Sequence, residues 1–215
     1  MINNLELIKQ ILTFDDENDF YMVYIIRRKK DQNTDKSNHQ SSRTIKSYPI
    51  GSLNELYDKW EEIIGLSEYF KARVYIGTNK LNYSDVGLNM ISKLAERLMS
   101  GHLKQNHIFE SVIGEIKPRY KRWVVDIDSK ELSPSMFAHI EYRCKPITEV
   151  KTDSIGIPIG YITGPKIEAI IPTKSGHHLI TKPFDLKEFK DSYPDIDVVK
   201  NGFTLLYYPT SLENN

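Results

Sequence analysis

Cysteine is almost absent from this chain of 215 residues, which contains a single thiol at Cys144. One thiol excludes an intramolecular disulfide framework and a zinc site built from several thiolates, and it favours a reducing compartment. Long apolar runs are also missing, because no stretch reaches the length of a membrane span and residues 1–10 lack the uninterrupted apolar core of a signal peptide. We therefore expect a cytoplasmic protein that has no membrane partner.

An excess of charge of one sign is missing as well, because 29 Lys and Arg residues balance 29 Asp and Glu residues. This balance excludes a nucleic-acid binder that depends on bulk positive charge, but it leaves room for a local basic groove. Basic residues cluster in two segments, Arg27–Lys30 and Lys117–Arg122. A solvated surface is the simpler interpretation of either cluster taken alone.

The order of predicted elements indicates an α+β fold, and no internal repeat is visible. Helices are predicted after Ser52, which has a capping-box partner in Glu55, and from Ser84 to Gly101. The predicted core stripe of the second helix is Ile91, Leu94, Ala95 and Leu98. Strands are predicted at Phe20–Ile26, Thr44–Tyr48, Ala72–Ile76, Arg122–Ile127, Lys166–Ile171, His178–Thr181 and Thr204–Tyr208. We expect one domain, 1–215, with an amino-terminal lobe at 1–118 and a catalytic, mostly antiparallel sheet at 119–215.

The most informative stretch runs from Arg122 to Asp128, where two carboxylates end an apolar run at a spacing of two. Side chains alternate along a strand, so Asp126 and Asp128 point the same way while Val125 and Ile127 point into a core. Like charges on one face repel each other, and a hard divalent cation such as Mg²⁺ or Mn²⁺ relieves that repulsion. The alternative is a strand end whose acids cap a turn.

A second polar motif is the turn Lys174-Ser-Gly-His-His178. Gly176 allows a tight turn and the close approach of a phosphate to backbone N–H groups. Ser175 offers a hydroxyl, Lys174 a point charge and histidine a ring donor, which are the groups that hold a triphosphate. His177 and His178 face opposite sides of a strand, so only one of them faces the acids, and a structural role is the alternative.

Further candidates lie outside these two motifs. Asp195 and Asp197 form a second alternating acid pair that is able to complete a metal site, although spacing alone favours a solvated loop before the last strand. Arg73 and Lys80 either reach a phosphate or coat the surface. Lys182 follows the histidine strand and is a candidate contact for template or phosphate.

In combination the motifs resemble the archaeo-eukaryotic primase superfamily, the primase-polymerases. The chain has Val124-Val-Asp-Ile-Asp128, then Ser175-Gly-His-His-Leu-Ile180, then Pro194-Asp-Ile-Asp197, in the order of that family. It is especially similar to small primase-like proteins of tailed bacteriophages, in which a Gly-aromatic-His-Leu-Ile-Thr-Lys-Pro-Phe turn is followed by a final Thr-Leu-Leu-Tyr strand. Gly176 to Phe184 and Thr204 to Tyr207 match that pattern, and the resemblance spans roughly residues 70 to 208.

The resemblance implies a primase-polymerase-like fold and a template-dependent nucleotidyltransferase of phage DNA replication that uses two Mg²⁺ or Mn²⁺ ions and no zinc. The implied catalytic residues are Asp126, Asp128, Asp195 and His178. The implied metal ligands are Asp126, Asp128 and Asp195, with Asp197 as the fallback for the third acid. The expected nucleotide-binding residues are Lys174, Ser175, Gly176, His178, Lys182 and Arg73. The expected template groove is lined by Arg27, Arg28, Arg73 and Lys80.

The expected partners are nucleoside triphosphates, a single-stranded DNA template and a helicase or helper replication protein, in the cytoplasm of a host cell. Three alternatives stay open. The same acids suit a metal-dependent nuclease. A primase-like fold without strong catalysis suits a nucleic-acid-binding subunit of a replication complex. The plainest alternative is an α+β domain whose acids and histidines are incidental.

Overall fold

The computed structural model describes residues 1–31, 42–102, 107–118, 120–144 and 165–212. These residues form ten strands and seven α-helices. The strands are β1 (Ile2–Asn3), β2 (Asp19–Arg27), β3 (Arg43–Ile50), β4 (Arg73–Gly77), β5 (Leu81–Asn82), β6 (Trp123–Ile127), β7 (Ile167–Pro172), β8 (His177–Thr181), β9 (Asp197–Val199) and β10 (Phe203–Tyr208). The helices are α1 (Leu5–Lys9), α2 (Leu53–Asp58), α3 (Trp60–Tyr69), α4 (Tyr83–Met99), α5 (Ile108–Glu115), α6 (Pro134–Ala138) and α7 (Leu186–Ser192). A π-helical segment, His139–Arg143, continues α6, and 3-10 turns lie at Lys29–Asp31 and Thr210–Leu212.

The first sheet is antiparallel and has the strand order β1-β10-β4-β2-β3, with β5 paired to β2. The last strand, β10, therefore lies between β1 and β4, although it follows them by more than a hundred residues. All other strands of this sheet come from the predicted amino-terminal lobe, 1–118. Because β10 comes from 119–215, the predicted boundary does not separate the two sheets completely.

The first sheet is covered differently on its two faces. One face packs on α1, α2 and α3 through a buried core that includes Tyr21, Val23 and Ile25 of β2. The opposite face is covered at one end by α4 and α5, which pack on Phe20 and Met22. Alternate side chains of β2 thus enter two different cores, which explains why its sequence is apolar almost throughout.

The second sheet is antiparallel and has the strand order β7-β8-β6-β9. In chain order its elements are β6, α6, β7, β8, α7 and β9, which is the βαββαβ arrangement with two split β-α-β units. One face packs on α6 and α7 around Val125, Leu179 and Phe189. The other face contributes Val124 and Ile180 to the core of the first sheet, so the two sheets share a buried contact.

Several predictions from the sequence are confirmed by this fold. The class is α+β with antiparallel sheets. Val125 and Ile127 are buried together in the core under α6 and α7, on the face away from Asp126. The Ser52 side chain accepts a hydrogen bond of 3.1 Å from Glu55 N and so caps α2. Gly101, with φ 79°, follows the end of α4.

The predicted core stripe of α4 is wrong except at Leu94. Ile91 is 68% exposed and Leu98 is 49% exposed, whereas Leu94 packs with Val86 and Met90 against α5. The helix carries two apolar stripes, and its own sequence does not specify which of them the neighbouring helix covers. With 17 residues, α4 is the longest described helix, and no helix in the described ranges has the length and apolar character needed to cross a membrane.

Candidate active site

Asp126 lies at the centre of a row of polar residues that crosses three strands of the second sheet. The register places Asp126 of β6 directly opposite His178 of β8 and directly opposite Asp197 of β9. Residues opposite each other in neighbouring antiparallel strands have their side chains on the same face. His178 Nε2 lies 3.4 Å from Asp126 Oδ1. Three segments that are far apart in sequence therefore meet on one face.

The imidazole of His178 is held at its second nitrogen by the first sheet. His178 Nδ1 lies 2.9 Å from Oγ1 of Thr204, a fully buried residue in β10. The ring thus spans the junction between the sheets, with one nitrogen on a hydroxyl and the other on a carboxylate. Thr204 was not predicted as a site residue, since a threonine in an apolar strand carries no chemical signal of its own.

The electrostatic field around Asp126 favours its ionised form. Contact with the His178 ring lowers the pKa of Asp126, partial burial acts in the opposite direction, and the positive charges of Lys30 and Arg28 lower the pKa further. The Asp126 side chain remains 42% exposed, so a ligand has access to it. An accessible carboxylate that stays ionised is the form that binds a cation.

Basic side chains that follow β2 act electrostatically on the acids. Partial desolvation and the nearby charges of Arg28 and Arg73 lower the pKa of Lys30, while Asp31 and Asp128 act to raise it. Lys30 thus lies in the field of Asp128 as well as that of Asp126. The predicted basic cluster Arg27–Lys30 therefore contributes to the surroundings of the acid row.

The charged groups of two further basic residues lie against the ring of Tyr208. The guanidinium carbon of Arg73 lies 5.0 Å from the ring centroid, and Lys174 Nζ lies 5.2 Å from it. Arg73 is buried and forms a two-pronged ion pair with Asp31, whose Oδ2 atom lies 2.7 Å from Arg73 Nε. The charge of the buried Arg73 is therefore already neutralised by Asp31, whereas Lys174 is exposed at a hairpin tip.

The hairpin between β7 and β8 matches the predicted turn. Thr173 N donates to Gly176 O at 2.8 Å, and Gly176 N donates to Thr173 Oγ1 at 3.1 Å, which leaves Ser175 exposed at the tip beside Lys174. A Cβ atom at Gly176 would lie 1.8 Å from Ile127 O. Glycine is therefore required here by the backbone at the end of β6, which occupies the space expected for a phosphate.

The acid pair after Pro194 is split by the fold. Asp197 is the first residue of β9 and lies opposite Asp126, whereas Asp195 is exposed in the turn that precedes the strand. The solvated loop favoured by spacing alone is therefore wrong for Asp197. The register favours Asp197, the fallback residue, over Asp195 as the third acid of the row.

Two predicted basic contacts lie apart from the row. Lys80 forms ion pairs with Asp15 at 2.5 Å and with Asp19 at 2.8 Å, so acids of its own lobe hold it. Lys182 follows the end of β8, and its backbone N–H donates to Lys166 O at 2.8 Å. Neither lysine has a described contact with Asp126 or His178.

The oxygen atoms on this face have the chemistry that Mg²⁺ and Mn²⁺ prefer. Asp126 and Asp197 are neighbours in the register, and Asp128 is exposed directly after β6, which ends at Ile127. As placed, no three His, Cys, Asp or Glu side chains of the described ranges gather into a set that is able to hold a metal ion. A shared ion therefore requires the carboxylates to rotate towards one another.

Comparisons of this chain with protein-family models, with curated proteins and with solved structures found no match. The assignment of the site therefore depends on the strand register, on the contacts of His178 and on the charges around Asp126.

Proposed function

We propose that this protein is a metal-dependent nucleotidyltransferase that extends or initiates a strand on a single-stranded DNA template, as the resemblance of its motifs to primase-polymerases implies. The observation that carries the proposal is the row His178–Asp126–Asp197. Three sequence motifs that resemble those of the family, in the same order, converge on one face, with a histidine against the first acid. If the acids and histidines had no function, nothing would explain why they converge on one face.

The residues of the row have distinct proposed roles. Asp126, Asp128 and Asp197 would hold two Mg²⁺ or Mn²⁺ ions, which when bound neutralise the phosphates and lower the pKa of the attacking hydroxyl. His178, oriented by Thr204, would donate to the phosphate chain. Transfer forms a bond between the hydroxyl oxygen and the α-phosphorus, the hydroxyl proton passes to water, and pyrophosphate leaves with the electron pair of the broken bond.

The cations beside the row suit a triphosphate. Lys30 and Arg28, which follow the end of β2, act on the Asp126 carboxylate, and Lys174 lies at the tip of the hairpin between β7 and β8. A nucleoside triphosphate carries several negative charges that such a group of cations neutralises. A nuclease acts on one phosphodiester and has less need of them, so these cations favour the transferase over the nuclease.

Template-directed incorporation of labelled nucleotides tests the proposal. The double variant Asp126→Asn, Asp128→Asn should lose at least about a hundredfold in rate, because the ligands of the ions are removed. A matched control, Asp58→Asn with Glu61→Gln, removes two exposed acids of α2 and α3 and should keep the full rate. Undiminished incorporation by the first variant would refute the proposal, and degradation of the strand without added nucleotides would identify a nuclease.

A further inference from the structure

Three aromatic rings form a cluster on the outer face of the first sheet, opposite α1, α2 and α3. Tyr24 of β2 and Tyr75 of β4 are direct cross-strand partners. The ring of Phe203, at the start of β10, lies 5.8 Å from that of Tyr24 and 5.5 Å from that of Tyr75. The cluster therefore extends over three neighbouring strands and has a rigid support.

Phe203 is the exposed member of this cluster. Its side chain is 45% exposed, whereas Tyr24 is half-buried and Tyr75 is buried. The cross-strand partner of Phe203 is Gly77, which has no side chain to cover the ring. A single exposed aromatic residue is ordinary on a protein surface. This one differs because two rings hold it in place and because Arg28 contacts the hydroxyl of one of them, Tyr75.

Arg28 lies beside the aromatic cluster. Its Nη1 atom donates to the hydroxyl of Tyr75 at 3.3 Å. Lys30 follows two residues later, in the 3-10 turn Lys29–Asp31. These residues form a basic edge beside the cluster, on a protein whose net charge is zero. Thr204, the residue after Phe203, contacts His178 of the acid row.

We propose that Phe203 and Tyr24 form a stacking surface for the bases of single-stranded nucleic acid, whose phosphates follow Arg28 and Lys30. Aromatic rings on an antiparallel sheet stack unpaired bases regardless of sequence, and a neighbouring basic edge neutralises the backbone. This inference deepens the proposed function and rests on it for its biological meaning, because a strand bound here would be the template. The charge of the edge favours a nucleic acid over a protein segment as the occupant.

Fluorescence anisotropy with labelled oligothymidylate and oligouridylate, without metal or nucleotide, tests the surface alone. Phe203→Ala should weaken binding about 5-fold to 100-fold. The matched control is Tyr69→Ala, which removes a ring that is 80% exposed on α3 and should leave binding unchanged. Lys30→Gln should reduce the slope of log affinity against log salt by about one, whereas Phe203→Ala should leave that slope unaltered.

The outcomes separate this inference from the proposed function. Equal affinity of Phe203→Ala and the wild type, or an equal loss in Tyr69→Ala, would overturn the stacking surface. Failure of the wild type to bind either strand would also overturn it and would direct attention to a protein partner for this face. Strand binding that depends on Phe203, in a protein that incorporates no nucleotide, would keep the surface and reject the transferase. The two oligonucleotides show whether DNA or RNA is preferred.

Discussion

His178 Nδ1 lies 2.9 Å from Thr204 Oγ1 and so joins the second sheet to the first at the candidate active site. The other ring nitrogen, Nε2, lies 3.4 Å from Asp126 Oδ1. In a neutral imidazole the partner of one nitrogen decides which nitrogen carries the proton. Thr204 is therefore a positioning residue, which fixes the orientation of the ring that faces the acids.

Replacement of Thr204 by valine keeps the volume of the side chain and removes its hydroxyl. Thr204→Val should lower kcat/KM for nucleotide incorporation about 10-fold to 100-fold, as the loss of an orienting contact does in metal sites. The ¹⁵N shifts of the His178 ring should change as well, because the tautomer is no longer fixed. Thr204→Ser, which retains a hydroxyl, should restore both measurements towards the wild type.

Thr181→Val is the control for this substitution. Thr181 is also fully buried in β8, but its hydroxyl has no hydrogen-bond partner among the described residues. Removing that hydroxyl should leave activity and the His178 shifts unchanged and should not lower the free energy of unfolding. If Thr204→Val behaved like Thr181→Val, a positioning role for Thr204 would be excluded.

The choice of Asp197 as the proposed third acid follows from the strand register. Asp197→Asn should lower nucleotide incorporation at least about a hundredfold, because Asp197 lies opposite Asp126. Asp195→Asn should change the rate less than about threefold, because Asp195 is exposed in the turn before β9. Single-turnover rates for both variants measure the difference. The reverse order of the two effects would contradict the register-based assignment.

Gly176 should tolerate no side chain. In Gly176→Ala the added Cβ would lie 1.8 Å from Ile127 O and 2.7 Å from Ser129 N, both of which are backbone atoms. The free energy of unfolding, measured with urea, should fall by about 3 kcal/mol or more. Gly65→Ala is the matched control in α3, where no atom lies within 4 Å of the new Cβ, and it should raise stability by about 0.5–1 kcal/mol.

Glu68 of α3 should make the stability of the fold depend on acid pH. Its carboxylate accepts hydrogen bonds from Tyr207 OH at 2.8 Å, Thr210 N at 2.9 Å and Ser211 N at 3.0 Å. Burial acts to raise the pKa of Glu68, but these hydrogen bonds outweigh it and lower the pKa to about 2. The ionised form is therefore the one that the folded state prefers.

The direction of the pH effect follows from that lowered pKa. The stabilisation is fully present above the ordinary value of 4.5 and is lost as the pH falls from 4.5 towards 2. At pH 7, Glu68→Gln should lower the free energy of unfolding by about 1–2 kcal/mol. The difference from the wild type should shrink below pH 4. A difference that stays constant from pH 7 to pH 3 would show that ionisation of Glu68 contributes nothing.

Some features of the site depend only on residues that are adjacent in the chain. Local patterns in the sequence predicted these features. The alternation of Asp126 with Val125 and Ile127 predicted the two faces of β6, and small polar residues predicted the turn at Lys174–Gly176. The preference for His178 over His177 came from the resemblance. The register agrees with that preference, because it places His178 opposite Asp126.

Other parts of the site depend on contacts between distant segments. β9 has three residues and is defined by its pairing with β6, so its sequence is too short to show a periodicity that predicts a strand. Thr204 contacts His178 because β10 returns to the first sheet. Local patterns in the sequence do not predict a topology of that kind. The prediction for α4 failed for the same reason, because tertiary packing decides which of its two apolar stripes is buried.

Paramagnetic broadening by Mn²⁺, titrated into ¹⁵N-labelled protein with a nucleoside triphosphate present, tests the central claim most directly. The amide signals of Asp126, Asp128, His178 and Asp197 should disappear first, and those of α1 and α3 should persist. Broadening should be lost in the Asp126→Asn, Asp128→Asn double variant. Broadening centred instead on the acidic turn at Asp15–Asp19, or none that is selective, would contradict a metal–nucleotide site on this sheet.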